Sequence, residues 1–135
     1  MTAEIKHQVT LHATPKAVFE ALMDDRKHSQ FTGEPAKISR LPGGAFLCYG
    51  DYIEGVNVAV ISPKLIIQAW RSRNWAKETY SIVTFKMTKL SGGKTKLSFT
   101  QVGVPSWDFK EKNSGWRTHY WEPLKRYLAA QKSAK

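Results

Sequence analysis

The sequence holds a single cysteine, Cys48, in 135 residues, so no internal disulfide can form. It also lacks a long apolar run. The longest uninterrupted aliphatic stretch, Val58 to Ile61, falls far short of the roughly 18 residues that a membrane-spanning helix needs. The opening residues do not follow the charged-then-apolar order of a secretory leader. These absences exclude a disulfide scaffold and helical membrane insertion, and the expected setting is cytoplasmic and reducing. Acidic residues are scarce in one half only: residues 1–61 hold six Lys/Arg against seven Asp/Glu, whereas 62–135 hold fifteen against four. The second half therefore faces anionic partners, whether an acidic protein surface, nucleic acid or anionic lipid.

Catalytic signatures are equally sparse. There is no G-x-S-x-G, no H-E-x-x-H and no G-x-G-x-x-G. Gly93-Lys94-Thr95 resembles the end of a phosphate loop, but Thr88 stands where that loop needs its first glycine, and the following residues alternate like a strand. Ser91 to Lys94 reads instead as a hairpin turn. The histidines His7, His12, His28 and His119 have no cysteine or carboxylate at ligand spacing, so neither metal nor other cofactor is expected. His7 lies on an apolar strand face and reads as a hydrogen-bonded core residue; Cys48, mid-strand, reads as a buried inert thiol. Asp24-Asp25 beside Arg26-Lys27 reads as a solvated helix end. Glu54 is the one acid that could face inward, where burial without a partner would raise its pKa and suit it to acid–base work.

What is present is periodicity. Ile5, His7, Val9 and Leu11 alternate with polar residues, a half-buried strand. Thr14-Pro15 reads as N-cap and first residue of a short helix carrying Val18, Phe19, Leu22 and Met23, continued through Arg26 to Phe31 and stopped by Gly33. Turn residues then separate six strands near 36–41, 45–50, 52–61, 65–72, 79–89 and 95–103, with one dry and one wet face. Ser106 is the expected cap of a final helical region, which Asn113-Ser114-Gly115 should break or kink. Trp116, Tyr120, Leu124 and Tyr127 or Leu128 then form an apolar stripe bent at Pro123, and fraying is expected past Ala129. The expectation is one α+β domain over residues 1–135: a curved antiparallel sheet of six or seven strands around a long C-terminal helix, with short helices after the first strand.

Five Trp, five Tyr and six Phe concentrate where sheet and final helix should meet. Rings in that position leave either a packed core or a cavity for an apolar ligand, and Phe46, Cys48, Trp70, Val83, Phe85, Phe99, Trp116 and Tyr120 are the expected lining. Trp70 to Lys77 interleaves aromatics with cations, as single-stranded nucleic acid binding requires. An inward Trp70 with solvated Arg71 and Arg73 explains the same residues, and a nucleic-acid partner is not expected. Arg71, Arg73 and Lys77 are the expected contacts to an acidic protein partner.

Gly43-Gly44-Ala45-Phe46, Ile67-Gln68-Ala69-Trp70-Arg71, Val83-Thr84-Phe85, Gly92 to Leu97, Gly103-Val104-Pro105 and Gly115-Trp116 through Tyr120-Trp121 occur in this order. The succession, over residues 5–129, resembles the C-terminal-domain family of the activator of the ninety-kilodalton heat-shock chaperone ATPase. That resemblance implies the helix-grip fold of the START-like (SRPBCC) superfamily. It implies a non-enzymatic binding module, a co-chaperone that modulates the chaperone's ATPase. Relatives in the superfamily imply two alternatives: a carrier or sensor of a small hydrophobic ligand, and a cyclase- or hydrolase-like enzyme that would rest on Glu54 and His7. The eukaryotic activators carry a further N-terminal domain that makes the main chaperone contact, and this chain is expected to correspond to the second domain alone.

Overall fold

The computed structural model describes residues 1–133. Strand β1 (Thr2–Leu11) is followed by helices α1 (Pro15–Met23) and α2 (Asp25–Thr32), then by β2 (Lys37–Ile38), β3 (Ala45–Cys48), β4 (Ile53–Ile61), β5 (Leu65–Ser72), β6 (Ser81–Leu90) and β7 (Lys94–Pro105). All neighbours pair antiparallel in one sheet of order β1-β7-β6-β5-β4-β3-β2. The first strand closes against the last, from Thr2 opposite Pro105 to Leu11 opposite Thr95. The C-terminal region comprises a 3₁₀ turn (Ser106–Asp108), α3 (Phe109–Trp116), a π-helical turn (Arg117–Trp121) and α4 (Glu122–Ser133). It lies along the inner face of the sheet, burying Trp116, Tyr120, Trp121, Leu124 and Leu128 against Phe85, Leu97 and Phe99 in one core. This is the helix-grip arrangement.

Local chemistry accounts for the element ends. The Thr14 hydroxyl accepts the Ala17 N–H at 3.2 Å, and Pro15 occupies the first helical position, where its missing donor costs nothing. Asp24 then closes α1 and caps α2, its carboxylate accepting the Lys27 N–H at 3.0 Å. The residues expected to extend one helix thus form two. Gly33, at φ 77°, ends α2 in the left-handed conformation. Gly55 is required for a different reason: a Cβ there would lie 1.9 Å from the Ala69 carbonyl oxygen and 2.6 Å from the Phe46 ring. Across the outer face, Val56, Ala69, Ile82 and Val102 stand in one register row, and three of them are exposed valine or isoleucine.

Four expectations are corrected. The strand expected over 36–41 shrinks to Lys37–Ile38, because Asn57 donates its side-chain amide to the carbonyls of Ser39 and Leu41 and Pro42 has no donor for a ladder. Ser106 opens the 3₁₀ turn without a side-chain cap. Asn113-Ser114-Gly115 does not break the helix: Asn113 takes a 2.9 Å hydrogen bond from His7, and Ser114 returns its hydroxyl to the Lys110 carbonyl. The irregularity falls just before Pro123 instead. Proline can neither donate to the carbonyl four residues back, that of His119, nor pack its ring against it. The chain widens there so that the Glu122 N–H reaches the Arg117 carbonyl, and the Tyr49 hydroxyl donates to the freed His119 carbonyl at 2.6 Å. Finally, α4 continues past Ala129 to Ser133, since Ala130, Gln131 and Lys132 are good helix formers and Leu128 anchors the turn before them. Residues 134–135 of the expected frayed tail lie outside the described residues.

Candidate functional site

The seam between sheet and final helix is organised around Trp116. Its ring lies 4.3 Å from Phe99, 4.6 Å from Tyr120 and 5.5 Å from both Trp70 and Trp121, centroid to centroid. Its indole N–H donates to Gln101 Oε1 at 2.7 Å. Gln101 in turn donates to Ser81 Oγ at 2.9 Å, and Ser81 donates to the Trp70 carbonyl at 2.9 Å. This buried chain ties the helix to three strands and leaves none of its members unpaired.

All eight residues expected to line a cavity are buried in this core. Six of them, Phe46, Cys48, Trp70, Phe85, Trp116 and Tyr120, surround a void of about 10 Å³. Val83 and Phe99 pack elsewhere in the core. A space of that size holds at most one water. These six residues meet at the seam, and their side chains fill the space between them. Beside the void, His28 Nε2 lies 3.8 Å from Cys48 Sγ, while His28 Nδ1 has no hydrogen-bond partner. Burial pushes the Cys48 thiol up to about 12 and lowers the His28 ring to about 4, so both are neutral near pH 7. Burial also raises the Tyr120 and Tyr49 phenols. Cys48 is buried, as its mid-strand position suggested.

A cleft of about 260 Å³ opens at the mouth of the seam, between the β3–β4 turn and the start of the C-terminal region. Tyr49, Tyr52, Trp70, Lys112, Trp116 and His119 are among its walls. Lys112 is buried, paired with Asp108 at 2.8 Å and 5.6 Å from the Tyr52 ring centre. The same Asp108 oxygen accepts the Trp75 indole N–H at 2.7 Å. Sequence reasoning missed this trio, although the i,i+4 spacing of Asp108 and Lys112 was a readable signal. It also missed Trp121 and Gln101.

Two of the three cations expected to meet a partner are engaged within the domain. Arg71 is buried: it donates to the carbonyls of Trp75, Ala76 and Thr79 at 2.8, 3.3 and 3.3 Å, and its guanidinium meets Glu54 at 2.5 Å. Arg73 is half-exposed and pairs with Glu54 and Asp51 at 3.2 and 3.5 Å. Lys77 is exposed. Glu54 is thus held by two arginines rather than buried alone. His7 accepts the Trp121 indole N–H at Nδ1, 2.8 Å away, which places its own proton on Nε2, facing Asn113. His7 is hydrogen-bonded as expected, but it is half-buried at the edge of the core rather than within it.

These histidines predict a pH response. Both have a folded pKa below 6.5, His28 near 4, chiefly through burial. The unfolded chain therefore binds more protons through that window, and stability is full above about pH 6.5 and is lost as the pH falls toward 4. For His28 the shift corresponds to on the order of 3 kcal/mol. Urea midpoints should drop steeply between pH 7 and 4.5, and His28→Phe should flatten much of that slope. An unchanged slope in this variant would contradict the assignment.

A curved sheet gripping a helix through a packed aromatic seam, with a cleft at its mouth, defines a helix-grip domain. The chain belongs to the family described as activator of Hsp90 ATPase homolog 1-like protein, whose pattern matches residues 12–129. An activator of 90 kDa heat shock protein ATPase homolog from Dictyostelium discoideum is 27% identical over 124 residues, 92% of this chain and 32% of that protein. The human homolog 1 is 22% identical over 125 residues, 93% of this chain and 37% of that protein. The chain thus spans about a third of the length of these curated relatives. Among solved structures, an HSP90 activator from Plasmodium falciparum superposes with a TM-score of 0.88 at 21% identity, covering 93% of this chain and 96% of that one. The Aha1 dimer from Colwellia psychrerythraea gives 0.79 at 17% identity, with the same coverage of each chain. These likenesses establish the fold.

Proposed function

We propose that this domain is a non-enzymatic binding module that modulates the ATPase of a ninety-kilodalton heat-shock chaperone in the cytoplasm. The observation that carries the reading is family membership across residues 12–129, joined to an interior filled by its own rings rather than open to a substrate. The excess of positive charge suits an acidic protein surface, and such steering weakens with salt. Titrating the pure domain into the chaperone should change its ATPase rate and give a complex that loosens as salt rises. No complex and no rate change at low salt would overturn the reading.

A carrier of small hydrophobic ligands is the second reading, supported by the cleft at the seam's mouth. At about 260 Å³ it lies just under the roughly 300–1,000 Å³ usual for ligand pockets, so a small aromatic compound is the favoured occupant. A melting-temperature rise of several degrees with such compounds would favour this reading. The enzyme reading draws little support from Glu54 and His7, whose polar groups are engaged by neighbouring side chains.

A further inference from the structure

Five basic residues with no internal role gather at the end of the sheet away from the Arg71 loop. There the β4–β5 turn, the β6–β7 turn and the start of α1 enclose a groove of about 760 Å³. Five lysines line it: Lys16, Lys64, Lys86, Lys89 and Lys94. All five are exposed, and among the described residues none has a carboxylate within ion-pairing distance. No Asp or Glu contributes to the walls, whereas Ile61, Pro63 and Leu65 supply apolar surface between the cations. One wall is fixed by a backbone bond from the Met87 N–H to the Lys64 carbonyl at 2.9 Å.

We propose that this groove binds an extended acidic peptide segment in which aliphatic side chains alternate with carboxylates. Five like charges around one concavity repel each other, and an anionic occupant relieves that repulsion. The apolar surface between them asks for more than charge. A nucleic-acid strand would find no aromatic ring to stack on, and its phosphates would gain nothing from Ile61, Pro63 and Leu65. A bilayer presents a plane, whereas these residues form a hollow between two turns and a helix. Lysines, as mobile point charges, suit loosely spaced carboxylates better than the forked clamp that arginine offers a single phosphate. The proposal rests on the reading that the domain binds proteins, and is independent of whether the chaperone is the partner.

The test is fluorescence anisotropy with a short dye-labelled peptide repeating Asp-Leu-Glu-Leu, measured on the intact domain. Combined Lys64→Glu, Lys86→Glu and Lys89→Glu substitutions, all at exposed positions, should weaken binding about tenfold or more, while Lys110→Glu on α3 should change it less than about twofold. Ile61→Ser should weaken the Leu-containing peptide but not an all-glutamate one. Binding of the parent peptide that survives the triple reversal within about twofold would overturn the proposal, as would equal affinity for the all-glutamate peptide. Tighter binding of phosphatidylserine vesicles or of an oligo-dT strand, lost in the same triple variant, would also overturn it. Peptide binding alongside a silent chaperone titration supports the groove and removes only the chaperone reading.

Discussion

Trp116→Ala is expected to bring the domain close to unfolding at room temperature. Truncating a buried tryptophan costs about 3–5 kcal/mol, since the surrounding rings cannot close the space completely. The indole is also the hydrogen-bond donor to Gln101 Oε1 in a fully buried position, and an orphaned buried acceptor adds about 1–3 kcal/mol. The two effects together rival the roughly 5–15 kcal/mol that holds a typical domain folded. Trp116→Phe separates them: it keeps a ring against Phe99 and Tyr120 but loses the donor, and should cost about 1–3 kcal/mol. Urea melts of the two variants provide the comparison. A loss below about 1.5 kcal/mol for the alanine variant would mean that the seam is not organised around this ring.

Arg71→Ala should do its damage locally. The guanidinium holds three carbonyls of the β5–β6 connection, and within that segment Glu78 sits at a φ of 61°. Breaking a buried ion pair by removing one partner costs about 3–5 kcal/mol. Glu54 retains Arg73 and access to water, which favours the lower end. Amide hydrogens from Asn74 to Thr79 should exchange much faster in the variant while the rest of the sheet keeps its protection. Arg71→Lys should restore only a minor part, since an ammonium cannot span the carbonyls that the planar fork reaches together. Unaltered exchange in this segment would sink the account.

Much of the architecture was legible because it follows from short-range rules. The alternation of Ile5, His7, Val9 and Leu11, the Thr14-Pro15 start of α1, and the β5 boundaries at 65 and 72 agree with the structure. The apolar stripe from Trp116 to Leu128 also faces the core as read. What was not legible depends on residues far apart in the chain. Asn57 ended β2 early by bonding across sixteen and eighteen positions, as recorded by its links to Leu41 and Ser39. Arg71 reads as a surface cation until the fold places four acceptors around it. The eight expected cavity residues illustrate the same limit: sequence located the seam, but whether rings fill it depends on their mutual angles. The lysine groove has no local signature, because Lys16 meets Lys64 and Lys94 only through the closure of the sheet.

That closure carries a consequence for biosynthesis. In the pairing of Thr2 with Pro105, the partners lie 103 positions apart, and even the nearest pair, Leu11 with Thr95, is separated by 84. A ribosome adding about 5–20 residues per second needs roughly 4–17 s after Leu11 to reach Thr95. Through that interval the opening strand has no native sheet neighbour, so a nascent chain emerges with one exposed edge that only its last strand can cover.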